Sequence, residues 1–170
     1  MKILGIDPGT VSMGYGIVLS DASDDITMIC YGALRRPASS PIGERLYFYY
    51  RELLKIISTN RPEAVAIERP FLAKNVRAAL AIGRAQAVAI LAAAGANLPS
   101  FEYTPAQIKQ TVTDYGASSK EQIQEMVKLQ LGLDTVPQPS DAADALACAI
   151  CHLRMVRLGG IIASAEEDES

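Results

Sequence analysis

The chain is poor in the residues that mark disulfide-stapled, haem-bearing or zinc-binding proteins: it has three cysteines, one histidine and no tryptophan in 170 residues. It opens Met1-Lys2-Ile3-Leu4-Gly5-Ile6-Asp7, with an acid where an exported protein would carry its apolar stretch. An odd number of cysteines behind such a start reads as reduced thiols. The run Cys148-Ala149-Ile150-Cys151-His152 fits the C-x-x-C-H pattern of c-type haem attachment, and C-x-x-C also marks redox and zinc sites. Haem attachment of that kind requires export, and a zinc site requires a further ligand pair where Cys30 is the one remaining thiol. Two cysteines on an alanine-rich helix read instead as small core hydrophobes, and His152 as a surface or helix-end residue. A membrane-spanning run is also missing: the longest uncharged apolar stretch, Ala85 to Leu98, is interrupted by Gln86 and falls short of the ~20 residues that cross a bilayer. The expectation is a cytoplasmic protein without membrane or haem.

Excess positive charge is lacking too, since the formal net charge is -3. Its distribution matters more than its sum. The tail Glu166, Glu167, Asp168, Glu169 holds four of the nineteen acids, which leaves fifteen against sixteen basic residues in the body. Setting aside four more acids as metal ligands would leave eleven against sixteen. The acidic balance therefore does not exclude a nucleic-acid partner. With 49% hydrophobic and 21% charged residues, the chain has the composition of a packed globular domain. Residues 1–158 read as that single domain and 159–170 as an acidic, disordered tail.

Hydrophobic periodicity orders the elements. Lys2 to Asp7 reads as a short buried strand ending in the turn Asp7-Pro8-Gly9-Thr10. Met13 to Ser20 and Ile26 to Leu34 are two further strands on either side of the acidic Asp21 to Asp25, which suggests an antiparallel meander. Leu46, Tyr49, Leu53 and Ile57 recur at helical spacing, and Glu63 to Glu68 has strand length. A helix over about 75–94, a strand at Ser100 to Tyr103 and two short helices over about 106–113 and 119–131 follow. Thr104-Pro105 has the form of an N-cap and first helical residue, and Ser119 with Gln122 that of a capping box. A last helix is expected over about 140–158. The order βββ-α-β-α-β-α-α-α implies an α/β fold whose mixed sheet is flanked by helices.

Four acids stand where a packed fold rarely wants them. Asp7 and Glu68 end apolar strands, at the carboxyl edge where open α/β sheets build sites. Asp141 and Asp144 lie three apart on the last helix and share one face. Oxygen ligands suit hard divalent ions, and a pair of such ions activates water and stabilises a phosphoryl displacement. Each acid also has a structural role open to it: Asp141 as a helix cap with Asp144 in the first turn, and Asp7 as a turn former. Glu68, after Ala64-Val65-Ala66-Ile67, has no such local partner.

These residues carry a family resemblance. Gly5-Ile6-Asp7-Pro8-Gly9-Thr10 with Gly14-Tyr15-Gly16, Ala66-Ile67-Glu68 with Phe71, Tyr103-Thr104-Pro105 with Ile108-Lys109-Gln110, and Asp141-Ala142-Ala143-Asp144-Ala145-Leu146-Ala147 resemble the RuvC family of Holliday-junction resolvases, in order from about residue 1 to 158. The resemblance implies an RNase H-like fold with a five-stranded mixed sheet, and a homodimer. It further implies hydrolysis dependent on Mg²⁺, two per site with Mn²⁺ able to substitute, that nicks a four-way DNA junction symmetrically in recombination and repair. It implies that Asp7, Glu68, Asp141 and Asp144 bind the metals, that Lys109 and Lys120 contact DNA, and that Phe71 stacks on a base near the crossover. RuvA and RuvB, the branch-migration helicase, are implied as partners. The acidic tail lies outside the matching blocks.

A junction presents dense phosphate charge, so cations are expected beside the carboxylates. Arg69 and Lys74 flank Phe71, and Arg77 lies about one helical turn beyond Lys74; each could equally be a solvated surface charge. The alanine-rich helix with Leu80, Val88 and Leu91 is apolar on more than one face and suits a core position or a contact between two copies. The hairpin around Asp7 to Gly14 also resembles the phosphate-binding hairpin of actin-like ATPases, but those enzymes need two lobes and a second hairpin. The four acids speak against a module that binds junctions without cutting them. The block Asp141 to Asp144, together with Phe71, favours a resolvase over an RNase H-like nuclease acting on RNA.

Overall fold

A computed structural model describes residues 1–21, 23, 25–69 and 76–168, with side chains described for all of these except 76, 77 and 160–168. The strands are β1 (Lys2–Asp7), β2 (Ser12–Ser20), β3 (Ile26–Arg35), β4 (Ala64–Glu68) and β5 (Ser100–Tyr103). The helices are α1 (Ile42–Asn60), α2 (Val76–Gly95), α3 (Pro105–Thr113), α4 (Lys120–Gln130) and α5 (Ser140–Asp168). The five strands form one sheet in the order β3-β2-β1-β4-β5. Pairing is antiparallel from β1 to β2 and from β2 to β3, and parallel from β1 to β4 and from β4 to β5. This is the mixed sheet expected from the order of elements, and the meander is its antiparallel half.

Side chains alternate between the two faces along each strand. On one face Leu4, Ile6, Val65 and Ile67 pack with Tyr49, Leu53 and Ile57 of α1 and Ala85, Val88, Ala89, Ala92 and Ala93 of α2. On the other, Ile3, Val18, Ala64, Ala66 and Tyr103 pack with Ile108 and Val112 of α3, Ile123 and Val127 of α4, and Leu146 to Leu153 of α5. Asp7 and Glu68 continue the second face, the one covered by α5. Residues 78–95 of α2 are long and apolar enough to cross a membrane by length and composition alone. That segment forms part of the core on α1 and β4, while Leu80 and Leu91 remain 60% exposed.

Glycines bring α5 against the sheet. A Cβ on Gly5 would overlap the Ala145 carbonyl, and one on Gly14 would overlap the Asp141 carbonyl. The start of α5 therefore sits on β1 and β2 with no intervening side chain, which carries Asp141 and Asp144 to the end of β1 where Asp7 lies. From Ala142 to Leu153 this helix is buried except at Asp144. The helix stop expected near Leu158 is not there: α5 runs to Asp168. Sequence 159–168 after the Gly-Gly step is rich in alanine and glutamate, good helix formers that carry the backbone on.

Burial of α5 corrects the reading of His152, which is fully buried rather than at the surface. Its Nδ1 lies 2.6 Å from the Tyr103 hydroxyl, and its ring lies 4.5 Å from that of Phe101. Burial pushes its pKa down, so the ring is held neutral. Cys148 and Cys151 are free, buried thiols on the same helix, core residues as expected. Both expected caps are present, Thr104 with Gln107 and Ser119 with Gln122, each as a reciprocal capping box.

Candidate active site

The site grows out of two neighbouring strand ends. Ile6 of β1 pairs in parallel with Ile67 of β4, so the next residues, Asp7 and Glu68, leave the sheet side by side. Across from them, Asp144 projects from the second turn of α5, and α3 and α4 bring Lys109 and Lys120. Asp7, Glu68, Asp144, Lys109 and Lys120, with the apolar Pro105, Ile108, Ile123 and Ala147, line a cleft of about 350 Å³. Three of the four expected acids and both expected lysines thus meet in one place, drawn from five segments of the chain. Asp141 stands beside them toward β2, near enough for its charge to act on Asp7.

Charge in the cleft is crowded and poorly solvated. Burial is the main reason that the Asp7 carboxyl is pushed up to about 7, with repulsion from Asp144 and Asp141 adding to it and Lys120 opposing it. Glu68 is pushed up to about 8, again by burial first and then by Asp7 and Asp144, against the pull of Lys120 and Lys109. Asp144 is raised by burial although Lys120 bonds to it. Burial acts to lower the Lys120 pKa, but its hydrogen bond to Asp144 and the charges of Asp144, Asp7 and Asp141 outweigh that, and its pKa is raised. Such a cluster costs free energy until cations neutralise it.

Lys120 Nζ supplies part of that neutralisation, donating to Asp144 Oδ2 at 2.5 Å. At the β2 side, the Ser12 hydroxyl donates to Asp141 Oδ2 at 2.5 Å. Among the described residues no three His, Cys, Asp or Glu side chains are drawn into a closed cation cage. The donor set is nevertheless all oxygen, carries up to four negative charges and sits on rigid element ends, which fits a hard divalent ion.

The remaining expected residues divide. Arg69 follows Glu68 at the rim, where its Nε lies 3.7 Å from Glu102 Oε2 and its side chain is 57% exposed. Phe71 and Lys74 lie outside the described residues, as does the side chain of Arg77. Ser12 is a site residue that sequence reasoning misses. Its one available signal is parity: with Gly14, Gly16 and Val18 it falls on the strand face that α5 covers.

The family model for crossover junction endodeoxyribonuclease RuvC matches residues 3–152. The chain is 55% identical over 152 residues to the crossover junction endodeoxyribonuclease RuvC of Dehalococcoides mccartyi, covering 89% of this chain and 90% of that one. The Thermus thermophilus RuvC structure superposes with a TM-score of 0.86 at 33% identity, over 94% of this chain and 97% of that one. The T. thermophilus RuvC in complex with a Holliday junction substrate gives 0.85 at 32% identity, with the same coverage.

Proposed function

Because the chain belongs to the RuvC family of crossover junction endodeoxyribonucleases, we propose that its cleft is the metal-loaded centre at which a Holliday junction is nicked. The activity is endonucleolytic resolution of Holliday junctions in DNA recombination and repair, and the family is metal-dependent. One observation carries the assignment of the centre: Asp7 and Glu68 emerge from adjacent parallel strands into a cleft that Lys109 and Lys120 also line.

Asp7, Glu68, Asp141 and Asp144 would hold Mg²⁺, two ions per site, with Mn²⁺ able to replace it. When bound, these ions lower the pKa of the attacking water and stabilise charge on the phosphate and on the leaving 3′-oxygen. Water oxygen bonds to phosphorus as the P–O3′ bond breaks, and the strand ends are a 5′-phosphate and a 3′-hydroxyl. The carboxylates orient this chemistry, and their ionisation is a condition for it. Lys109 and Lys120 meet phosphate oxygens as point charges at the mouth of the cleft. Arg69, Lys74 and Arg77 would add further cations for the junction's phosphates, and Phe71 would stack on a base at the crossover.

Two strands must be cut, so two sites are needed. The stripe of α2 that stays exposed, Leu80, Arg84, Ala87 and Leu91, meets its copy across a twofold axis in a homodimer. RuvA and RuvB act with this dimer on the same junction, in the cytoplasm. Residues 1–158 form the nuclease domain, and the acidic 159–170 lies beyond it.

End-labelled four-way junction and matched linear duplex, incubated with Mg²⁺ or with EDTA, test this reading. Paired symmetric nicks on the junction alone, and with metal alone, are expected. Binding without cutting under every divalent ion, or equal cutting of the duplex, would overturn it.

A further inference from the structure

Asp141 is the second residue of α5, in a first turn whose backbone N–H groups have no partner within the helix and favour an acid nearby. Its partner is elsewhere. Ser12 Oγ, 129 residues away in sequence, donates to Asp141 Oδ2 at 2.5 Å, the length of a charge-assisted O–H···O⁻ bond. Three features make that donor a rigid one. Ser12 is paired in the sheet with Arg35. The turn before it is held from outside, by Arg45 Nη1 donating to the Thr10 carbonyl at 2.8 Å and by the Arg36 N–H donating to the Val11 carbonyl at 3.1 Å. Gly14, two residues on and facing the same way, lets the Asp141 backbone close onto β2, so the hydroxyl and carboxylate meet at fixed separation.

The two aspartates of α5 are therefore held differently. Asp144 is bonded by a cation on a long, exposed side chain, the Lys120 ammonium. Asp141 is bonded by a neutral hydroxyl fixed to the sheet, which offsets none of its negative charge and engages one of its two oxygens. We propose that Ser12 is a positioning residue for metal binding: it fixes the rotamer of Asp141, so that this carboxylate is presented as a ligand without being neutralised. Partners that orient a metal ligand in this way typically change metal affinity by ~10–100-fold. The inference rests on the assignment of Asp141 as a ligand, and the experiment separates the two.

Mn²⁺ binding to the full chain is measured by electron paramagnetic resonance in the absence of DNA, for the parent, Ser12→Ala, Ser12→Thr and Asp141→Asn. Ser12→Ala is expected to weaken Mn²⁺ by about tenfold or more, and Ser12→Thr, which keeps the hydroxyl, to restore binding close to that of the parent. In junction cleavage, Ser12→Ala should raise the Mn²⁺ concentration for half-maximal rate while leaving the rate at saturating metal near that of the parent. Thermal melting of the metal-free proteins checks that Ser12→Ala folds, and Ser12→Cys, a weak donor of similar size, serves as the second variant. Parental Mn²⁺ affinity in Ser12→Ala and Ser12→Cys, with binding lost in Asp141→Asn, overturns the positioning role alone. Parental affinity in Asp141→Asn as well overturns the ligand assignment on which it stands.

Discussion

The Lys120 ammonium and the Asp144 carboxylate face each other across the cleft at 2.5 Å, one at the start of α4 and the other near the start of α5. Lys120 is half exposed while Asp144 is largely covered. The cation is thus a tethered, displaceable neighbour of a carboxylate that a divalent ion would also claim. On the proposed function, Lys120 would serve two partners in turn, the acid when the metal is absent and the DNA phosphate once it is present.

That dual role separates Lys109 from Lys120 by experiment. Lys109→Ala and Lys120→Ala should each flatten the dependence of log K on log salt for junction binding by about 1, since each removes one phosphate contact. Fluorescence anisotropy across a salt series checks this, and an unchanged slope for both would remove them from the interface. Lys120→Ala alone should also lower the melting temperature of the metal-free protein, because Asp7, Glu68 and Asp144 lose their nearest counter-charge.

Asp7→Asn should abolish cleavage and leave junction binding intact, because it removes a metal ligand and no cation. The same change removes a buried charge, so the metal-free variant should be more stable than the parent near neutral pH, by on the order of a few kcal/mol. Junction cleavage and binding assays read the first effect, and urea denaturation of the metal-free protein reads the second. A variant that still cuts at the parental rate would exclude Asp7 from the metal site.

The raised carboxyls set the sign of the pH dependence. Asp7 at about 7 and Glu68 at about 8 bind protons more tightly in the folded chain than in the unfolded one. Their contribution to stability is therefore full below the ordinary carboxylate range, and is lost as pH rises through 7 and 8. Metal binding requires the deprotonated form and relieves the repulsion that follows. The rise in melting temperature given by Mg²⁺ should accordingly grow from about pH 6 to about pH 8.5, the span across which the two groups ionise. A rise that is the same at every pH would contradict the coupling.

Gly14→Ala places a methyl group against the Asp141 carbonyl, and Gly5→Ala places one against Ala145. In each case α5 must move off the sheet. A loss of about 1–3 kcal/mol or more is expected for either, together with weakened metal binding for Gly14→Ala in particular. Chemical denaturation and Mn²⁺ titration of the same samples would show whether packing and ligation are coupled; a stable Gly14→Ala protein with parental affinity would show that they are not.

Much of this fold is legible without coordinates, for reasons that are local. Apolar runs of strand length mark β1 and β4, helical spacing marks α1, and the capping residues Thr104 and Ser119 mark the starts of α3 and α4. An acid at the end of an apolar strand, as with Asp7 and Glu68, is conspicuous because the strand fixes which face and which edge it occupies. These are short-range properties, set by backbone geometry and by which side chains water rejects. His152 escapes such reasoning because one residue on an alanine-rich helix carries no local sign of which face is covered; only the packing of Phe101 and Tyr103 against it decides that the ring is buried and neutral. The end of α5 escapes it because Gly159 and Gly160 resemble a helix stop.

The spacing of a few neighbouring residues sets the elements and their order and makes the four acids stand out, whereas Lys109 and Lys120 are picked out by the family resemblance and by no local pattern. Tertiary structure alone decided that those acids converge, that the pKa values of Asp7, Glu68 and Asp144 rise, and that Ser12 reaches Asp141. Charge repulsion, desolvation and hydrogen bonding act through distance in space, and folding joins segments that the chain keeps far apart.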